Sequence, residues 1–253
     1  MRRAIVAAAV AALALSEGMA ATPAPEVRII CPSIVCDAGL AELVAEYNER
    51  PGHRVVIVKS ARARIAAVLR DETPVPDVVG LPVVMMTPLA RDGTVVADSA
   101  RPFAVGVLGL AVRKGTPRPD ISDAGKLAQV LKGASGVVVN APDGGTLQGA
   151  MTKALLDRSA FSGIRTMVPG KGDALELLKR GEGEMAIQLV QDILADPEVD
   201  LVAPLPEPLG GRLELALAVS ARSAQGGAAR DLVRFLTGRR AMAVWKAKGL
   251  RPI

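Results

Sequence analysis

Few residues in this chain could do chemistry. Cys31 and Cys36 are its only cysteines, with four residues between them, at the end of the apolar run "VRIIC". Such a pair could close a disulfide, hold a metal, cycle as a redox couple or shape a binding loop. The one histidine, His53, follows Pro51-Gly52 and reads as a solvated turn residue. Without a second histidine there is no Ser-His-Asp or Cys-His pair for nucleophilic catalysis. The Cys-x4-Cys spacing has no further Cys or His nearby to complete a zinc site. The chain has neither a P-loop nor a G-x-G-x-x-G turn. A soft metal could in principle be gripped by Cys31, Cys36, Met85 and Met86. The plainer reading of the two methionines is that they fill the core side of a helix. No catalytic residue and no cofactor follow from this search.

What remains is a set of strand-to-helix turns rich in Ser, Thr and Gly. A helix N-terminus exposes free N–H groups and the positive end of its dipole, so it can hold an anion without a cationic side chain. Ser33, Ser60 and Thr146 sit at such turns. Each alone reads as an ordinary helix cap; only convergence on one cleft would make them a site.

The elements that must position these turns alternate. Strands are expected over 27–31, 53–59 and 76–82. Each is followed by a helix: 38–50 capped by Asp37, 61–71 capped by Ser60, and one opened by Pro82. Three strand–helix repeats predict a parallel sheet covered by helices. A second series follows: a strand over 105–115, a helix over 121–133 capped by Ser122, and a strand over 135–142. After these come a helix over 144–158, a helix over 173–181, and strands over 184–190, 199–206 and 212–221. Two terminal helices, 223–237 and 239–248, are left to pack on the first set. The fold class is therefore α/β with two lobes. Ligands of open α/β sheets sit beyond the carboxyl ends of the strands, which here are "CPSIVCD", "KSAR", "GLP" and "NAPDGGT".

Composition narrows the function. Half the residues are hydrophobic but only 2% are aromatic, too few rings for a protein that grips sugars or bases by stacking. The net charge of +5 is spread over mixed basic and acidic residues with no basic stripe, which argues against nucleic-acid binding. The first residues, "MRRAIVAAAVAALALSEGMAATPAPE", combine Arg2 and Arg3, an apolar run and small residues near Ala20 and Ala21. This is the pattern of a secretory signal occupying residues 1–21. Its apolar run is too short to span a bilayer. The remainder is expected to be exported to the periplasm and soluble.

From Val105 onward the wording becomes specific. "GVLGLAVRKGTPRPDIS", "GEGEMAIQLVQDIL", "VDLVAPLPEPL" and "VWKAKGLRP" resemble the molybdate-type periplasmic solute-binding proteins of ABC transporters. The resemblance covers the chain beyond the leader, loosely over 26–100 and strongly over 105–253. It implies a type II periplasmic binding fold, with residues 22–107 plus 209–253 as lobe 1 and 108–208 as lobe 2. It also implies no catalysis, a monomer, and delivery of a captured molybdate-like oxyanion or small carboxylate to a membrane permease. Carried over residue by residue, the first Ser-bearing loop falls on Ser33 and the second on Ser60 and Arg62. The second-lobe backbone positions fall on Thr146, Leu147 and the turn around Lys171. The family's tyrosine position falls on Leu189, flanked by Gln188 and Gln191. The resemblance thus gives Ser33, Ser60, Arg62, Thr146, Leu147, Lys171 and Gln188 as ligand-binding residues. The missing tyrosine, the Cys pair and the arginines depart from the family pattern; Arg62 would suit a carboxylate, whereas Arg64 reads as solvent-facing. In an exported protein two nearby cysteines are expected to be oxidised. A Cys31–Cys36 ring would be small, contributing somewhat under the ~3 kcal/mol of a 15-residue loop. The alternative is an exported metal-handling or redox-sensing protein using the same two cysteines.

Overall fold

The computed structural model describes residues 26–141, 146–170 and 174–253. The expected leader and Lys171 lie outside the described residues. The chain opens with β1 (Glu26–Cys31), the helical turn α1 (Ser33–Val35), a wide helical turn Cys36–Leu40 and α2 (Ala41–Asn48). Then come β2 (Arg54–Lys59), α3 (Ile65–Asp71), β3 (Val78–Pro82), α4 (Val83–Arg91) and β4 (Arg101–Gly106). The middle of the chain holds β5 (Leu108–Arg113), α5 (Ala124–Gly133), β6 (Val137–Val139), α6 (Leu147–Leu156) and β7 (Thr166–Met167). It continues with α7 (Ala174–Lys179), β8 (Met185–Leu189), α8 (Val190–Ala195) and β9 (Val199–Pro204). The last elements are β10 (Leu213–Val219), α9 (Gly226–Leu236), α10 (Arg239–Ala247) and β11 (Arg251–Pro252).

These strands form two sheets. The first runs β11-β4-β10-β3-β1-β2 and the second β7-β6-β8-β5-β9. In the first sheet β1 pairs in parallel with β2 and β3, as the strand–helix repeats predict. β10 is antiparallel to both β3 and β4, so the sheet is mixed. In the second, β6 is parallel to β7 and β8, and β5 is antiparallel to β8 and β9. Successive residues of a strand face opposite sides, and both sheets bury both faces. Ile29, Leu215 and Leu217 join Leu43, Leu232, Leu236 and Trp245 on one side of the first sheet. Ile30, Val79 and Leu81 join Ile65, Leu69 and Met86 on the other. In the second sheet Val137, Val139 and Ile187 meet Leu127, Leu131 and Leu155. Val138 and Ala186 meet Leu175, Leu178 and Ile193 on its opposite face. Hydrogen bonds from Lys179 to Glu176 and Asp196 tie α7 to the end of α8 and hold the lysine pKa above its usual value.

The terminal helices follow their apolar pattern. α9 buries Ala229, Leu232, Val233 and Leu236, an i, i+3, i+4, i+7 stripe. Met86 lies in the core, as read.

Several local expectations are corrected. The run 105–115 is two strands in different sheets, broken at Val107, whose carbonyl accepts from the Val190 N–H at 3.0 Å. The first helical stretch begins at Ser33 rather than Ala38, and Pro32 rather than Asp37 stands at its cap. Its axis is interrupted at Ala38 and Gly39, where Gly39 has φ of 107°, a value a residue with a Cβ adopts only under strain. Ser60 is not a cap: its N–H donates to the Cys31 carbonyl at 3.1 Å, and a 3-10 turn, Arg62–Arg64, precedes α3. Asp123, not Ser122, caps α5 by accepting from the Lys126 N–H at 2.8 Å. Pro82 ends β3 and precedes α4 instead of lying in its first turn.

Trp245 anchors α10. It is fully buried, packs its ring 5.0 Å from that of Phe103, and donates its indole N–H to the Leu236 carbonyl at 3.0 Å. Trp245→Ala is expected to destabilise the fold by about 3–5 kcal/mol, measured by equilibrium urea unfolding; a loss under about 1 kcal/mol would contradict this packing.

Candidate functional site

Strand β1 ends at Cys31, and the chain turns at Pro32 into a helical start at Ser33. The N–H groups of Val35 and Cys36 both donate to the Pro32 carbonyl at 2.9 Å. Cys31 and Cys36 are disulfide-bonded, with Cα atoms 5.6 Å apart. Both sulfurs are therefore committed, and neither is a thiolate ligand for a metal. The closed ring pins the turn so that Ile34, Val35 and Cys36 are buried while Ser33 stays exposed. Asp37 follows, ion-paired with Lys59 at 2.5 Å.

Across a gap stand the carboxyl ends of strands in the second sheet. Asn140 follows β6, Gln188 is the penultimate residue of β8, and Asp192 lies in the first turn of α8. Thr146 caps α6, its hydroxyl oxygen accepting from the Gly149 N–H at 2.9 Å. A hydroxyl that accepts still has its own proton to donate. The Gln188 side chain is nearly fully buried, and its carboxamide oxygen accepts from the Leu189 N–H at 2.8 Å. Since that N–H can only donate, the oxygen is fixed there, and the carboxamide NH2 is the donor left over.

These groups line one cleft of about 510 Å³. Its walls include Ser33, Ile34 and Asp37 from the first sheet's side, and Asn140, Thr146, Gln148, Gln188 and Asp192 from the second's. Of the residues expected to bind, Ser33, Thr146 and Gln188 meet here. Ser60 and Arg62 do not line the cleft. They follow β2, the edge strand beside β1, and Ser60 touches the first loop only through its backbone. Arg62 is half-buried, and no ion pair engages it among the described residues. Arg64 is solvent-facing, as read, and pairs with Glu72 at 2.9 Å. Leu147 adjoins Thr146, but its side chain packs against the core. Leu189 is fully buried and contributes no side chain to the walls. Sequence reading placed Asp37 and Asn140 in strand-end segments without naming them as binding residues, and it missed Gln148 and Asp192. The available signal for Asn140 was a polar residue ending the apolar "GVVVN" strand.

The cleft walls can do two things chemically. Hydroxyls and carboxamides offer neutral donors to an anion, and two carboxylates offer acceptors. No group of three or more His, Cys, Asp or Glu residues able to hold a metal occurs among the described residues.

Comparison with known proteins identifies the family and the fold. Residues 27–251 match the family model for bacterial extracellular solute-binding proteins. A curated relative, the aconitate isomerase of a Pseudomonas species, is 27% identical over 167 residues, covering 65% of this chain and 63% of the relative's length. Among solved structures, the substrate-binding domain assigned to a molybdenum ABC transporter of Clostridium difficile superposes with a TM-score of 0.76 at 14% identity, covering 90% of this chain and 99% of that one. The periplasmic molybdate-binding protein of Azotobacter vinelandii gives 0.65 at 16% identity, covering 88% and 98%. The tungstate-binding protein of Desulfovibrio alaskensis gives 0.63 at 11%, covering 91% and 99%. At these identities the structural likeness establishes the fold, the two-lobed α/β type II periplasmic binding architecture.

The cleft's second wall depends on a close approach. A Cβ on Gly149 would lie 2.1 Å from the Ala141 carbonyl oxygen. Gly149→Ala must therefore push the segment ending at Asn140–Ala141 away from α6. A destabilisation of about 1–3 kcal/mol is expected, read as a lowered thermal midpoint; an unchanged midpoint would contradict the contact. Replacing both Cys31 and Cys36 by Ser should cost less than about 3 kcal/mol, because the ring is short. A larger loss in denaturant unfolding would show that the bond does more than hold one turn.

Proposed function

The chain belongs to the bacterial extracellular solute-binding protein family, and from that premise we propose that it captures a small anion in the periplasm by closing two lobes over it. The lobes are residues 22–107 plus 209–253 and residues 108–208, and the captured anion passes to an ABC permease in the membrane. The observation that carries this reading is that Ser33 from one sheet and Thr146 and Gln188 from the other line a single cleft. A ligand touched by both sides favours the arrangement in which the sides approach, so binding and closure are one equilibrium. Neutral donors suit a molybdate-like oxyanion or a carboxylate. The cleft volume falls in the range of small organic ligands, about 300–1,000 Å³, which leaves room for an organic acid. Lys171, outside the described residues, is a further ligand residue in this reading.

A second reading is supported by the aconitate isomerase relative together with Asp37 and Asp192 in the walls. Moving a double bond requires a group that takes a proton from one carbon and returns it to another, and a carboxylate can do both. On this reading the bound anion is a carboxylate and is isomerised in the cleft. Incubation with cis-aconitate followed by proton NMR tests it: a new isomer supports it, and an unchanged spectrum overturns it.

Isothermal titration against molybdate, tungstate, sulfate, phosphate and small carboxylates tests the binding reading. One anion is expected to bind at a single site, with Ser33→Ala and Thr146→Val each weakening it about tenfold, a loss of roughly 1.4 kcal/mol. Heat from none of them, or an affinity indifferent to both substitutions, would overturn the site.

A further inference from the structure

A second constellation lies at the opposite end of the first sheet's strands from the cleft. β1 and β3 run parallel, and their carboxyl ends point toward Ser33. β10 is antiparallel to β3 and pairs Val219 with Val78, so Val219 lies at the far end of the strands. There Arg101, at the start of β4, and Arg230 and Arg234, four residues apart on α9, line one pocket of about 170 Å³. Ser99, Val233 and Thr237 complete its floor.

The hydrogen-bonding state of these groups says what the pocket can take. Ser99 donates its hydroxyl to the Val96 carbonyl at 2.6 Å and accepts from the Val219 N–H at 2.8 Å. Thr237 donates to the Val233 carbonyl at 2.9 Å. Neither hydroxyl proton is left for a ligand, so the guanidinium groups are the donors. Arg101 spends one nitrogen on the carbonyls of Asp98 and Ala100, and no carboxylate pairs with it among the described residues. Arg230 pairs with Asp98 at 3.1 Å and Arg234 with Asp231 at 2.7 Å. Both carboxylates are exposed, Asp98 with 78% of its side chain in solvent, so water screens these pairs and an incoming anion can compete with them. Three planar cations face two screened carboxylates, an excess of positive charge around a space of small-anion size.

We propose that this pocket is a second anion site that takes a phosphate group, which the guanidinium fork matches in two-pronged geometry. It is remote from the cleft and does not depend on lobe closure or on the cleft reading above. The phosphate could be free or part of a lipid headgroup, and the chemistry of recognition is the same.

The test uses the full chain after export. Inorganic phosphate is titrated into the wild type, into Ser33→Ala/Thr146→Val to remove any share taken by the cleft, and into Arg230→Gln/Arg234→Gln. In parallel, sedimentation with phosphatidylglycerol and phosphatidylcholine vesicles probes the lipid source. The proposal expects phosphate binding that survives the cleft substitutions and weakens at least about tenfold in Arg230→Gln/Arg234→Gln, with the thermal midpoint unchanged. Arginine-dependent sedimentation with phosphatidylglycerol and no heat from free phosphate would assign the site to lipid. Phosphate affinity equal in wild type and Arg230→Gln/Arg234→Gln, or no binding in either arm, would overturn the proposal.

Discussion

The structure hangs on how the chain crosses between its two sheets. It crosses first at Val107, a single residue between β4 and β5, and returns through 205–212 between β9 and β10. The crossings are hydrogen-bonded to each other: the Leu108 N–H donates to the Gly210 carbonyl at 2.8 Å, and the Leu205 N–H to the Leu108 carbonyl at 2.9 Å. Two short, mutually bonded segments set the spacing of the sheets. Everything at the cleft follows from that spacing, because Ser33 belongs to one sheet and Thr146 and Gln188 to the other.

Within each wall, backbone economy does the positioning. The disulfide ring fixes the turn at Pro32 and turns Ser33 outward while its neighbours are buried. On the other side, Thr146 caps the start of α6 with its own oxygen and keeps its proton, and Gly149 lets the Ala141 carbonyl approach the helix where any Cβ would collide. The Asn140–Ala141 segment is thus held against the start of α6 by backbone alone. The carboxylate that does reach the first wall, Asp37, is balanced by Lys59.

Much of the fold was legible because hydrophobic period and burial agree. The parallel β1–β3 set, α9 with its apolar stripe, and α10 with Trp245 all read directly. The break at Val107 was not legible: "AVGVLGLAV" is apolar throughout, since both strands are buried on both faces, and a continuous run carries no sign of a change of sheet. The caps at Ser60 and Ser122 were misplaced for a different reason. A capping oxygen needs a free N–H two or three residues on in helical geometry. At Ser60 the helix begins too late, and at Ser122 the next residue, Asp123, takes the role. In the cleft, Ser33 and Thr146 were already marked by their strand-to-helix turns, whereas Gln188 came from the family resemblance alone. Arg62 was placed by the same route, yet it stands beside the neighbouring strand's end, outside the walls. Wall membership is a tertiary fact: Asn140 and Gln148 look like ordinary polar residues until the two sheets are brought face to face.

The central claim is that one ligand is held from both sheets at once. A crystal structure with the tightest-binding anion tests it most directly. The account predicts the anion within hydrogen-bonding distance of the Ser33 hydroxyl and of Thr146 or Gln188, with the walls closer together than in the ligand-free protein. An anion held by one wall alone, or bound outside the cleft, would contradict it.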